Sequence, residues 1–207
     1  MRIITGKARG IQLNTLEGDA TRPTSDRAKE ALFSMIQFDV EGRRCLDLFA
    51  GSGQLGLEAL SRGAEYCVFT DESRDAVEIV IENAKKTKLY QQCRISQMGF
   101  LPYLKTCAGK ESFDIIFLDP PYASDYIPQA LSQIYEGGLL RAGGRIICET
   151  DNGTAAVSKK LLKSEDYAKN SVMSQVFGGD ESLFEKFTVE KTALYGRARI
   201  TLLEVRI

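Results

Sequence analysis

Asp47-Leu48-Phe49-Ala50-Gly51-Ser52-Gly53-Gln54-Leu55-Gly56 closes an apolar run that starts at Cys45 and opens a helical pattern that ends near Ser61. Cys45–Phe49 reads as a buried strand, the glycines as a tight bend, and Gln54–Ser61 as the helix that follows. Gly51-Ser52-Gly53-Gln54-Leu55-Gly56 matches the GxGxxG nucleotide fingerprint, in which glycine lets backbone approach a ligand closely. Asp71 stands twenty residues beyond Gly51, at the end of the next apolar run, where a carboxylate can hold ribose hydroxyls. Both features suit an adenosine cofactor, so NAD and S-adenosylmethionine (SAM) are equally open on the bend alone. Asp47 separates them. An anion at the strand end repels a pyrophosphate but faces the methionine ammonium of SAM favourably.

Outward from the bend, strands alternate with helices. Tyr66–Thr70 is a second strand, followed by a helix through Ala76, Ile79, Val80 and Ala84. Cys93–Ser96 is a weak third strand, and Phe100–Cys107 a short helix. Phe113–Leu118 is continuous and apolar, as a strand covered on both faces should be. A helix over Ile127–Tyr135 stops at Gly137-Gly138, and Arg145–Glu149 is a fifth strand. This βαβα order predicts an α/β fold with a doubly wound parallel sheet. Phe187–Leu194 and Ile200–Ile207 add an antiparallel C-terminal strand pair, for a seven-stranded, mostly parallel sheet. Ser164–Glu185 reads as a polar, irregular insert.

Ahead of this core, Arg2–Thr5, the Gly6-Lys7-Ala8-Arg9-Gly10 turn and Ile11–Leu13 read as a small hairpin. Thr21–Ser25 follows as a loop, and Thr24 or Ser25 caps a helix to about Gln37 that buries Ala28, Ala31, Leu32, Met35 and Ile36. The expected organisation is an N-terminal hairpin-helix arm over 1–40 and a catalytic domain over 41–207.

The chain has 207 residues, no histidine, five singly spaced cysteines and a net charge of −1. Without imidazole, Ser-His-Asp and Cys-His catalysis and most zinc chemistry are excluded, and no metal site is expected. The odd, scattered cysteines argue against a disulfide framework. No run reaches the roughly 20 apolar residues of a membrane span, and Met1–Thr5 lacks a signal-peptide core, so a cytosolic, cytoplasmic location is expected. Charge is uneven: Arg2, Lys7 and Arg9 lie in an acid-free opening, and Lys186, Lys191, Arg197, Arg199 and Arg206 outnumber Glu190 and Glu204 near the end. Local basic surface of this kind can meet phosphates, although on charge alone ordinary solvated faces are the favoured reading.

Asp119-Pro120-Pro121-Tyr122 ends the fourth strand, at the carboxyl edge where open α/β sheets bind ligands. Consecutive prolines fix φ and leave carbonyls free to accept. The amino nitrogen of a nucleobase is a poor nucleophile, because its lone pair is conjugated with the ring. An Asp119 carboxylate and a Pro120 carbonyl that both accept from one NH₂ would steer that lone pair toward a methyl donor. Tyr122 can stack on the extruded base.

Together these motifs resemble the amino-group methyltransferases of the Rossmann-like class I SAM fold. Met1–Gly10, Thr21-Arg22-Pro23-Thr24-Ser25-Asp26-Arg27-Ala28-Lys29-Glu30-Ala31-Leu32-Phe33 and DPPY resemble one branch more narrowly, the RsmD family. That resemblance implies methylation of the N2 amino group of a guanine, at nucleotide 966 of 16S rRNA, on free rRNA or a small-subunit assembly particle, by a monomer. It implies that Asp119, Pro120, Pro121 and Tyr122 hold the target base. It further implies that Asp47, Phe49, Ala50, Gly51, Ser52 and Gly53 cradle SAM and that Asp71 and Glu72 take its ribose. Lys7, Arg9, Arg22 and Arg27 would contact RNA. The acid that many SAM enzymes place after strand three is missing from Gln97-Met98-Gly99-Phe100, which leaves backbone groups such as those of Gly99 to hold adenine.

Three rivals stay open on sequence alone. DNA adenine-N6 or protein glutamine methylation uses the same chemistry, but those enzymes more often begin the tetrapeptide with Asn. An NAD-dependent oxidoreductase leaves DPPY without a role, and a catalytically inactive RNA-binding module leaves both motifs without one.

Overall fold

The computed structural model describes residues 1–16, 26–121, 125–151 and 165–206. The expected loop and cap at Thr21–Ser25 lie outside them. Helix α1 is Asp26–Met35; then follow β1 (Arg44–Asp47), α2 (Gln54–Ser61), β2 (Tyr66–Asp71), α3 (Arg74–Lys86), β3 (Cys93–Gln97), α4 (Phe100–Cys107) and β4 (Phe113–Leu118). The rest of the chain forms α5 (Tyr126–Glu136), β5 (Leu140–Asp151), α6 (Glu165–Phe177), α7 (Glu181–Glu185), β6 (Phe187–Tyr195) and β7 (Ala198–Val205). The seven strands pair in the order β3-β2-β1-β4-β5-β7-β6. Strands β1 to β5 pair in parallel, and β7 runs antiparallel to both β5 and β6. The doubly wound sheet and its antiparallel end follow the alternation read from the sequence.

Strand periodicity sorts the core into two layers. Cys45, Cys67, Phe69, Ile115, Phe117 and Ile200 face α1, α2 and α3, where they meet Leu32, Phe33, Leu57 and Val80. Their neighbours Leu46, Val68, Ile116, Ile146, Cys148 and Leu203 face Leu104, Leu131, Ile134 and Phe177 on the other side. Cys45, Cys67 and Cys148 are buried among these hydrophobes. At the amino edge, the buried Asp114 carboxylate accepts from the Arg44 N–H at 2.8 Å and pairs with Arg43 and Arg141. This charge is held by three donors and serves the fold.

The insert is the main correction. Glu165–Phe177 and Glu181–Glu185 are helices, not irregular chain. Val172, Val176, Phe177 and Leu183 are buried under α5 and β6, and the i, i+4 repeat of Val172 and Val176 is the helical signal that the polar composition hid. Asp180 caps α7 by accepting from the Leu183 N–H at 3.0 Å. The fifth strand is longer than expected, and its pairing with β4 shifts register between Phe113 and Ile115 of β4. The tail also carries less basic surface than its composition implied. Arg199 is 1% exposed within β7, and Arg197 pairs with Asp151.

The N-terminal segment packs on α2. Its hairpin is short: Arg2 bridges Gln12, the Ile3 N–H donates to the Ile11 carbonyl and the Leu13 N–H to the Met1 carbonyl, both at 3.0 Å, and Ile3, Ala8 and Leu13 are buried in the α1–α2–α3 layer. Glu58 and Lys29, both fully buried, anchor it. The Glu58 carboxylate accepts from the backbone N–H groups of Ile4 and Thr5 at 2.7 and 3.0 Å and from Arg62 at 2.8 Å. The Lys29 ammonium sits 3.8 Å from Glu58 and donates to the Arg2 carbonyl at 2.6 Å.

Candidate active site

Strand order reverses between β1 and β4, the switch point beside which open α/β sheets form their ligand crevice. Parallel pairing sets Asp47 opposite Phe117, so two residues further along each chain Phe49 and Asp119 leave the sheet side by side. A cleft with a cavity volume of about 440 Å³ opens there, within the usual range for small-molecule sites. Asp47, Phe49, Ala50, Gly51, Ser52, Asp71, Glu72, Gly99, Asp119, Pro120 and Pro121 all line it. Residues from the ends of β1, β2, β3 and β4, read from separate motifs, thus converge on one hollow.

The glycine bend is shaped by two requirements. Gly53 precedes α2 with φ 77°, a left-handed conformation that disfavours a side chain. Gly56 permits the helix to approach the sheet: a Cβ there would lie 2.3 Å from the Phe69 ring and 2.7 Å from the Cys67 sulfur. Gly53 therefore stands behind the bend and does not line the cleft.

Two acids flank the bend. Asp47 is 2% exposed, and its Oδ2 accepts from the Gly56 N–H at 2.9 Å in the first turn of α2. Burial pushes its carboxyl up to about 7; the Gly56 hydrogen bond opposes the rise and the nearby Asp71 adds to it. Asp71 uses Oδ2 to accept from the Gly51 N–H and Oδ1 to accept from the Ser73 N–H, both at 2.9 Å. Each carboxylate oxygen retains acceptor capacity for a further donor. The pocket therefore offers a buried acid and a backbone-braced acid a short distance apart. That pairing suits a ligand with an ammonium and vicinal hydroxyls better than a pyrophosphate.

The opposite wall is apolar. Phe49 and Tyr126 are nearly parallel, with ring centres 6.0 Å apart and planes 7° apart, and Phe100 lies 5.1 Å from Phe49 and 4.8 Å from Tyr126. All three rings border the cleft next to Pro120 and Pro121. Phe100 and Tyr126 each stand first in a helix that starts at the carboxyl edge, a positional signal available in the sequence. Met1, Thr15 and Leu16 also line the cleft, and nothing in their local pattern announces it.

The expected RNA contacts lie elsewhere. Lys7 and Arg9 are exposed, and Lys7 donates to Gln92 at 2.7 Å; Arg27 is exposed on α1. None of the three lines the cleft. Tyr122 and Arg22 lie outside the described residues. Among the described residues, no helix is long and apolar enough to cross a membrane.

A family model described as "Conserved hypothetical protein 95" matches residues 1–176. The chain is similar to "Putative rRNA methyltransferase YlbH" of Bacillus subtilis (strain 168), with 41% identity over 152 residues, 73% of this chain and 83% of that protein. It is also similar to "Ribosomal RNA small subunit methyltransferase D" of Haemophilus influenzae, with 36% identity over 168 residues, 81% and 84% of the two chains. Among solved structures, "putative methylase HI0767" from Haemophilus influenzae is 27% identical with a TM-score of 0.71, over 98% of this chain and 96% of that one.

Proposed function

This chain belongs to the RsmD family of SAM-dependent rRNA methyltransferases, and from that premise we propose that it methylates the exocyclic N2 amino group of a guanine in small-subunit rRNA. The observation that carries the reading is the shared cleft: Asp119 and Pro120, which would hold an amino group, border the same hollow as the Gly51 bend and Asp71.

The residues fit SAM. Asp47, Asp71, Phe49 and Phe100 line the cleft; in this reading Asp47 would face the methionine ammonium, Asp71 the ribose hydroxyls, and Phe49 and Phe100 an adenine plane. Bound SAM supplies an electrophilic methyl group on a sulfonium. The Asp119 carboxylate and Pro120 carbonyl would accept from the two N–H bonds of the target amine. That orients its lone pair and stabilises positive charge developing on nitrogen as the new N–C bond forms and the S–C bond breaks. The proton then leaves the nitrogen along its hydrogen bond to Asp119 and passes to solvent. No histidine is required, in a chain that has none. An oxidoreductase reading has no use for Asp119-Pro120-Pro121, and Asp at the first tetrapeptide position favours guanine over the rivals that place Asn there.

The test is incubation with labelled SAM and rRNA that lacks the mark, as naked 16S rRNA, 30S subunits and assembly intermediates, followed by nucleoside mass spectrometry. N2-methylguanosine at one site is expected. N6-methyladenosine, or no label on any of the three substrates, overturns the proposal. Asp119→Ala should abolish turnover while SAH affinity stays within about twofold, since that side chain acts on the acceptor and not on the donor.

A further inference from the structure

Residues 1–16 run along α2 and α3 as a strap, and both of its ends reach the cleft, Met1 at one and Thr15 with Leu16 at the other. Its middle is fastened to α2. Besides the Glu58 bonds, Ser61 Oγ donates to the Thr5 carbonyl at 2.6 Å and accepts from the Ala8 N–H at 3.0 Å, and the Ser61 carbonyl accepts from the Lys7 N–H at 2.9 Å. Its second end is fastened by α3: at the surface Glu82 accepts from Asn14 Nδ2 at 3.0 Å and Lys86 donates to Asn14 Oδ1 at 3.1 Å, while Asn83, which is fully buried, holds the Asn14 backbone. Asn83 Oδ1 accepts from the Asn14 N–H at 2.8 Å. Asn83 Nδ2 donates to the Asn14 carbonyl at 3.0 Å and to the Ser52 carbonyl at 2.9 Å. Both amide hydrogens and the amide oxygen are thereby used, and they tie the strap to the glycine bend itself. At the other end, Ser52 Oγ donates to the Met1 sulfur at 3.4 Å.

A buried asparagine that served folding alone would need partners anywhere in its surroundings. Asn83 instead joins two segments distant in the chain, Ser52 at 31 residues from it and Asn14 at 69. The residues directly after Asn14 are the ones that face the cavity. We propose that Asn83 is a positioning residue for cofactor binding, which clamps Asn14 against the glycine bend so that Thr15 and Leu16 form a preordered wall of the adenosyl site. The inference rests on the reading that the cleft takes SAM. Without the clamp, the wall must be ordered at each binding event, and that cost appears as lost affinity.

The experiment titrates SAH by calorimetry into the full-length wild-type chain, Asn83→Ala, Leu16→Ala and the double variant, alongside steady-state kinetics in SAM and ligand-free melting curves. Failure of the wild-type chain to bind SAH would sink the SAM reading beneath the proposal. With wild-type binding in place, each single variant is expected to weaken SAH by about tenfold or more and to raise KM for SAM in step, with the loss in KM and little in kcat. The double variant should be no weaker than the worse single by more than about twofold, because both changes release the same wall. Leu16, half-buried at the cleft edge, should keep the ligand-free melting temperature of the wild type, so its arm stands even if Asn83→Ala fails to fold. Wild-type SAH affinity in Leu16→Ala overturns the proposal. So does an Asn83→Ala variant that melts earlier yet binds SAH normally.

Discussion

The buried carboxyl of Asp47 makes cofactor affinity a function of pH. Its titration near 7 means that about half of the ligand-free molecules carry a protonated Asp47 at neutrality, and nearly all do at pH 5.5. A ligand ammonium arriving within about 4–6 Å would lower that pKa by about two, so the bound state is mostly ionised throughout this range. Binding must then expel the proton. The dissociation constant for SAH is expected to rise by roughly tenfold from pH 7.0 to pH 5.5, with about 0.8 proton released per ligand bound at pH 6. Keeping the range at or below pH 7 leaves the ligand's own amine charged. Calorimetry in two buffers of different ionisation enthalpy reads both quantities, and Asp47→Asn should bind weakly with a flat profile. The same shift fixes the sign of a stability effect. Below 3.8 both the folded and unfolded states hold the proton; between 3.8 and about 7 only the folded state does, so stability falls as pH rises. Above 7 the full penalty is present, about 4 kcal/mol at about 1.4 kcal/mol per tenfold. Asp47→Asn should therefore raise the ligand-free melting temperature at pH 8 while it damages binding. Affinity that is flat or improves with acid, or binding without proton release, would refute the placement of Asp47 against the ligand ammonium.

Three further outcomes follow from the geometry. Glu58→Ala leaves the fully buried Lys29 without its carboxylate and the Ile4 and Thr5 N–H groups without acceptors. Urea or thermal denaturation should show a loss of about 3–5 kcal/mol, on the order of 10 °C for a chain of this size. Gly56→Ala forces a methyl into the Phe69 ring and the Cys67 sulfur, and should cost about 1–3 kcal/mol or more and loosen SAH binding through the bend it distorts. If Lys7 and Arg9 meet RNA phosphates, Lys7→Glu and Arg9→Glu should each reduce the salt dependence of RNA affinity, by about 0.7 in the log–log slope for a single-stranded contact, and leave SAH affinity as it was. An unchanged slope removes both residues from the RNA surface.

The site was legible where its chemistry is compact in sequence. Asp47–Ser52, Asp71 and Asp119–Pro121 each sit at a strand end, and a doubly wound sheet brings strand ends together whatever the intervening loops do. What remained hidden depends on long-range packing. Asn83 sits in an amphipathic helix where an amide reads as surface, yet the strap covers it completely. Lys29 and Glu58 carry charges that composition assigns to solvent, and their mutual pairing, with the bonds to Arg62, Ile4, Thr5 and the Arg2 carbonyl, makes burial tolerable. Thr15 and Leu16 have no periodicity, and the residue before them, Asn14, is held by a partner 69 residues away. In the insert, the polar residues Ser174 and Gln175 between Met173 and Val176 interrupted the apolar run and masked a helix.

The strand order has a bearing on how the chain matures during translation. Ala198–Val205 is made after both strands that it separates, and it fills the gap between Leu140–Asp151 and Phe187–Tyr195. Until it does, the nascent chain holds five strands ending on an unpaired β5 edge that carries Ile146, Ile147 and Cys148, the kind of edge that recruits other chains. Loss of Ala198–Val205 would therefore harm solubility more than its distance from the cleft suggests, and a co-translational chaperone would find its natural target there.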